Sequence, residues 1–286
     1  MRRTGLKSII SFVLAMQLFF QPIAGLADIN DKSFIYEHSP EIFADYTKPH
    51  ELTDTEKAYV AHAGGVLMGM TGLNCLEAVE KSYARGFRLI EMDILFTEDD
   101  VPVMYHAWDG DNARLFGKKP FTVYSSEEFK SFKMVYLWHQ LTLDQMVTYM
   151  CTRFPEMYLV TDTKGNNYYL MNVLKERYPG MEKRFIVQVY TRDEYEYAVQ
   201  KGFPNIIYTL YRTDDTKEQV LDFCRKNKVY AITTYSDWMD DNFPETLNAM
   251  GVYTYIHTVH NQREYQIVKS HLYQGIYTDG LFDVNS

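Results

Sequence analysis

From Tyr59 to Asp279, short apolar runs alternate with amphipathic stretches, and this rhythm leaves the chain few folds to choose from. A strand, a covering helix and a second strand pair in parallel through a right-handed crossover, so repetition builds a parallel sheet sheathed in helices. The pattern predicts strands at Tyr59–His62, Arg88–Phe96, Met157–Thr163, Phe185–Tyr190, Asn205–Tyr211, Val229–Tyr235, Val252–Val259 and Gly275–Asp279. Helices are predicted between them, at Asn74–Arg85, Tyr168–Arg177, Arg192–Lys201, Thr216–Lys226, Glu245–Met250 and Arg263–Leu272. Eight such strands suit an α/β (β/α)8 TIM barrel, with the last strand closing on the first, better than an open sheet.

One interval breaks the rhythm. About fifty residues separate His106 from Met157, far more than the roughly 4–6 of a plain connection. The expectation is an excursion between the second and third barrel strands that reaches over the mouth, either shaping the substrate site or serving as a packing subdomain with no substrate contact.

Ahead of the barrel, Arg2, Arg3 and Lys7 precede an apolar run from Ile9 to Phe20, and Gly25-Leu26-Ala27 offers a small-x-small cleavage pattern. Residues 1–27 therefore read as a signal peptide, the run being shorter than the roughly 20 residues of a membrane span. A secreted or extracytoplasmic protein is expected, with a polar arm over residues 28–57, a barrel domain over 58–286, and work near a membrane or cell-wall surface. An uncleaved N-terminal anchor is the alternative.

The net charge of −9 argues against a nucleic-acid surface, because such proteins meet phosphates with dense positive charge. An anionic substrate would need a metal or a placed cation instead. Cys75, Cys151 and Cys224 are scattered and form neither a zinc signature nor a disulfide framework. A sugar or lipid site lined with tyrosine would account for the 24 tyrosines, and ordinary usage in an exported protein accounts for them as well.

In the strand RLIEMDILF, Glu91 and Asp93 stand two apart and so share a face. Two carboxylates inside an apolar strand repel and lose hydration unless a cation compensates, and Mg²⁺ or Ca²⁺ prefers oxygen donors. His62 ends the first strand in YVAHAGG, and His106 ends VPVMYH after the acidic turn TEDD. Strand ends are where barrel enzymes gather catalytic groups, and an imidazole titrates in the right range for acid/base work. In MYLVTDTK, Asp162 is placed to complete a metal site and Lys164 to hold a phosphoryl oxygen.

Taken in order, AHAGG, NCLEA, EMDILFTEDDVPVMYH, TDTK, QVY, HTVH and TDG resemble the glycerophosphodiester phosphodiesterase family of (β/α)8 barrels, over about Tyr59 to Leu281. The resemblance implies hydrolysis of a phosphodiester to an alcohol and a phosphomonoester of the sn-glycerol 3-phosphate type. It implies a divalent cation, Mg²⁺ or Ca²⁺, on Glu91, Asp93 and Asp162, the last where the family usually has Glu. His62 is expected as base and His106 as acid, with Lys164, Asn74 and His257 as substrate-binding residues. The chain departs from the family at Ala63, where Arg is usual, at Ala107, where Asp is usual, and at His257-Thr258-Val259-His260, where W-T-V-N is usual.

Three rival readings share parts of this pattern. Gly64, Gly65 and Gly69 follow a strand, but their spacing is not that of a dinucleotide loop. A phospholipase or sphingomyelinase D-like enzyme would share the histidines and carboxylates while taking a lipid. A non-catalytic barrel would bind a phosphorylated glycan or lipid, yet passive binding requires neither histidine.

Overall fold

The computed structural model describes residues 48–281 apart from 136, 240 and 241, and leaves the side chains at 111 and 112 undescribed. The expected signal peptide and residues 28–47 of the expected arm lie outside the described residues. Eleven strands follow in chain order: β1 Tyr59–Ala61, β2 Leu89–Phe96, β3 Pro102–Met104, β4 Lys133–Met134, β5 Trp138–His139, β6 Tyr158–Thr163, β7 Phe185–Val189, β8 Ile206–Thr209, β9 Ala231–Thr234, β10 Tyr253–Ile256 and β11 Gly275–Thr278. Eight of them are parallel neighbours, and β1 pairs with both β2 and β11, so the sheet closes into the expected barrel. No helix among the described residues is long and apolar enough to cross a membrane.

Closure follows from what the strands carry inward. Val60, Leu89, Val160, Ile186, Ile207, Ala231, Tyr255 and Tyr277 meet in one buried cluster that fills the lumen, so the barrel is a packed core and not a pore. The helices between strands start on side-chain caps: Thr142, Asn166, Thr191, Thr216 and Asn261 each accept from the backbone N–H three residues on. A cap of this kind is worth about 1 kcal/mol and fixes where each strand-to-helix loop ends.

At the N-terminal ends of the strands, the last part of the arm lies across the barrel. The Tyr158 hydroxyl donates to the His50 carbonyl at 2.6 Å and the Tyr255 hydroxyl to that of Lys57 at 2.8 Å. Arg184 is buried there, its guanidinium donating to the carbonyls of Met150, Phe154 and Met157.

The excursion is real, and its construction differs in part from expectation. VPVMYH is not a barrel strand end: β3 turns back antiparallel on β2, pairing Met104 with Ile94. Helices at Gly110–Phe116 and Ser126–Lys130 and the β4–β5 hairpin follow. Their apolar faces build a second core from Tyr105, Phe116, Phe129, Phe132, Met134 and Trp138, packed on Leu73, Cys75 and Ala78 of the β1 connection. The excursion thus buttresses the loops beside the mouth. Cys75, Cys151 and Cys224 are free and buried, and burial pushes the Cys75 and Cys224 thiols up to about 12.

Arg184→Met takes this donor from all three carbonyls, and the Phe154 carbonyl keeps the Met157 N–H; at about 1 kcal/mol or more for each group left unsatisfied, the loss is on the order of 2 kcal/mol. A urea titration followed by circular dichroism should show the midpoint fall accordingly.

Candidate active site

Side chains alternate along a strand, so each barrel strand that buries an apolar residue in the lumen presents another inward residue two or four positions later, nearer the mouth. On β2 the series is Leu89, Glu91, Asp93; on β7 it is Ile186, Gln188, Tyr190. A polar layer sits between lumen and mouth, where the Gln188 Oε1 accepts from Thr209 at 2.9 Å and from the Tyr277 hydroxyl at 3.2 Å. Above it the mouth divides in two. β11, β1, β2 and β6 supply Asp279, His62, Asp93 and Asp162, whereas β7 to β10 supply Tyr190, Tyr211, Tyr235 and His257.

Glu91, Asp93 and Asp162 are all buried, and each offers a carboxylate oxygen within 4.8 Å of the others. The neighbours that compensate them are specific. The Ala63 N–H donates to Glu91 Oε2 at 2.6 Å. The Asn74 amide takes Asp93 at both ends, Nδ2 donating to Oδ2 at 2.7 Å and Oδ1 accepting from the Asp93 N–H at 2.9 Å. Lys164 Nζ bridges Asp93 at 2.9 Å and Asp162 at 2.7 Å, and the Tyr190 hydroxyl donates to Asp162. Glu91 Oε1 is buried without a hydrogen-bond partner among the described residues.

Electrostatics follow from this crowding. Burial and the neighbouring Asp93 charge push the Glu91 carboxyl well above the usual carboxylate range. Burial opposes the charge on Asp162 too, but Lys164 and Tyr190 hold its carboxyl below that range. Burial also opposes a charge on Lys164, yet Asp93 and Asp162 raise it above an ordinary lysine.

His62 begins a turn directly after β1, its Nδ1 2.8 Å from Asp279 Oδ1. Burial would lower its pKa, but the Asp279 bond and the Glu91 charge prevail and raise it to about 9. With Nδ1 engaged, Nε2 is the nitrogen left for proton transfer. Asp279 also takes His260, whose Nδ1 lies 3.2 Å from Oδ2. His257 stands edge-on to His62 with ring centroids 4.7 Å apart; burial and the His62 charge lower its pKa to about 3, so it stays neutral.

Of the residues singled out from the sequence, His62, Asn74, Glu91, Asp93, Asp162, Lys164 and His257 come together at this mouth. Asn74 differs from expectation: 1% exposed and spending its amide on Asp93, it positions that carboxylate and has no free end for substrate. His106 is set apart. The Tyr105 N–H donates to the Asp93 carbonyl at 2.9 Å, which brings the chain back beside the carboxylates, and the His106 ring stands exposed at the rim. Tyr105 and Trp108, their rings tilted against each other with centroids 4.7 Å apart, anchor the segment on either side of it. At position 63, where the resemblance expects an arginine, the alanine side chain is fully buried and only the amide serves the site.

Asp279 and the three tyrosines were not singled out from the sequence. Each lies two residues beyond a lumen or polar-layer residue of its strand, Tyr277, Gln188, Thr209 and Thr233 respectively, and period-two extrapolation past the strand end would have found them.

A histidine and a lysine set beside a buried carboxylate cluster are groups suited to acid/base work on an anionic ester, the work of a phosphoric diester hydrolase. Comparison with known proteins narrows the class to one family. The profile of the glycerophosphoryl diester phosphodiesterase family matches residues 68–281, and the chain belongs to that family. No curated protein sequence matches it. Among solved structures, a glycerophosphoryl diester phosphodiesterase from Parabacteroides distasonis ATCC 8503 is similar with a TM-score of 0.63 and 15% identity, covering 85% of this chain and 94% of that one. A glycerophosphodiester phosphodiesterase from Thermotoga maritima is similar with a TM-score of 0.59 and 18% identity, covering 80% and 96%. A third, from Agrobacterium tumefaciens str. C58, gives a TM-score of 0.60 at 13% identity, covering 78% and 96%. At these identities the likeness shows the shared barrel fold.

The His62–Asp279 pair carries a pH signature. A folded pKa of about 9 against 6.5 for a free imidazole means the pair stabilises fully below pH 6.5 and loses that contribution as pH rises through about 9. In EDTA-treated protein, NMR should find His62 titrating near 9 in the wild type and lower in Asp279→Asn. Melting temperature should fall across the same window more steeply in the wild type than in the variant.

Proposed function

We propose that this chain is an exported, metal-dependent hydrolase of glycerophosphodiesters that releases an alcohol and a phosphomonoester of the sn-glycerol 3-phosphate type. The observation that carries the metal dependence is the cluster of Glu91, Asp93 and Asp162, with Glu91 Oε1 buried and without a partner among the described residues. An orphaned carboxylate oxygen in a buried all-oxygen donor set fits a hard divalent cation, Mg²⁺ or Ca²⁺. These three residues would hold it, and bound there it supplies stabilisation of negative charge on the non-bridging oxygens of the ester.

The protein's own groups do the rest. Lys164 lies at the edge of the cluster as a fixed positive charge and holds a phosphoryl oxygen by a charge-assisted hydrogen bond. His62, oriented by Asp279, takes the proton of the nucleophile at Nε2 in its neutral form, which a divalent cation on the three carboxylates would favour by offsetting the negative charge that raises its pKa. That nucleophile is water or a neighbouring hydroxyl of the substrate. His106, exposed at the rim, returns a proton to the departing alcohol. Export rests on the N-terminal segment, where Arg2, Arg3 and Lys7 precede the apolar run.

Turnover of glycerophosphodiesters should disappear in EDTA and return on adding Mg²⁺ or Ca²⁺. His62→Ala and His106→Ala should each lose about 10²–10⁴ in kcat with the fold retained by circular dichroism. Near-normal turnover by His106→Ala would overturn its place as the acid. Asn74→Ala should weaken cation binding by about 10–100-fold in a calorimetric titration, as expected for a group that orients a ligand from behind.

A further inference from the structure

We propose that the alcohol leaving this enzyme is a hydroxylated ring, a cyclitol or sugar, and that Tyr211 and Tyr235 form its subsite in the aromatic half of the mouth. The inference rests on the phosphodiesterase reading above and adds to it the class of the leaving group.

The division of the mouth is the first ground. Base, lysine and carboxylates all rise from β11, β1, β2 and β6, and the chain carrying the acid returns beside β2 through the Tyr105 N–H bond to the Asp93 carbonyl, so the phosphoryl group is held on that side. The other side of the mouth, where the rest of the ester has room to lie, is formed by Tyr190, Tyr211, Tyr235 and His257 at the ends of β7 to β10. Tyr211 and Tyr235 lie nearly parallel there, with centroids 4.7 Å apart and planes 25° apart, and Tyr235 is 43% exposed. The pair makes a flat plate two rings thick at the edge of the site. His257 backs it, 5.5 Å from Tyr211 and 6.1 Å from Tyr235, and is neutral, so the wall carries no imidazolium charge.

A flat aromatic plate attracts the C–H face of a saturated ring, whose hydroxyls then point to polar groups at the plate's edge. Such a group is present. The Tyr211 hydroxyl is buried and has no hydrogen-bond partner among the described residues, a cost of about 1–3 kcal/mol that a substrate hydroxyl would relieve. A quaternary ammonium also seeks aromatic faces, but it offers no hydrogen-bonding group to the Tyr211 hydroxyl, and the Tyr190 face is already covered by Arg212, its guanidinium carbon 4.4 Å from the ring centroid. A hydroxylated ring supplies both an apolar face for the plate and a partner for that hydroxyl.

In the reaction, the P–O bond to the ring alcohol breaks and the released alkoxide oxygen gains a proton. Phosphorus gains an oxygen from water, or from the adjacent glycerol hydroxyl and then from water, and that nucleophile gives up a proton. No other reactant is consumed.

The test is steady-state hydrolysis of glycerophosphoinositol, glycerophosphocholine and glycerophosphoethanolamine by the full chain with Mg²⁺ or Ca²⁺. The inositol diester should give the highest kcat/KM, by about tenfold, and Tyr235→Ala should collapse its advantage over the ethanolamine diester by a similar factor, as loss of about 1.4 kcal/mol of stacking requires. Tyr235→Phe, which keeps the aromatic face, should preserve the advantage. Choline cleaved as well as inositol, or an advantage that survives Tyr235→Ala, would overturn the proposal. Failure to cleave any of the three diesters would instead overturn the functional reading on which it rests.

Discussion

Three carboxylates buried within reach of one another are the constraint around which the mouth of this barrel is arranged. Glu91, Asp93 and Asp162 would repel and lose hydration together, and neither cost is met by the strands that carry them. Counting Asp279, the site holds four carboxylates against two half-buried cations, Lys164 and the charged form of His62. Full ionisation would leave two negative charges uncompensated, the charge of one divalent cation. The raised pKa of Glu91 and the raised pKa of His62 are two responses to the same excess.

Backbone geometry is bent to serve that cluster. Ala63 holds φ 46° and Asn74 φ 48°, both left-handed, a region that costs a non-glycine residue about 1–2 kcal/mol, less for asparagine. The strain turns the Ala63 N–H toward Glu91 and both ends of the Asn74 amide toward Asp93. What sustains it is the excursion, whose second core packs on Leu73 and Cys75 on either side of Asn74 and on Tyr105 next to His106. An apparently separate packing unit therefore fixes two loops of the site without having to touch substrate.

Much of this was legible in the sequence. The eight-strand rhythm gave the barrel, and period two within RLIEMDILF and MYLVTDTK put Glu91, Asp93, Asp162 and Lys164 at one mouth. Local patterns fail where long-range contacts decide. Nothing near His62 in the chain announces Asp279, more than two hundred residues away, because that pairing exists only once β1 and β11 close the barrel. VPVMYH reads as another strand bringing a histidine to a strand end, yet β3 has no helix before it and returns as a hairpin arm, so His106 reaches the rim from outside. The tyrosines of β7 to β9 were hidden by abundance, since among 24 tyrosines only strand register separates those at the mouth.

The central claim is that the carboxylate cluster is a cation site serving phosphodiester cleavage. The most direct test is a crystal grown with Mn²⁺ and measured at the manganese absorption edge. A single strong anomalous peak is predicted at bonding distance from oxygens of Glu91, Asp93 and Asp162. Manganese found elsewhere, with those carboxylates still bridged only by Lys164 and Tyr190, would contradict the account.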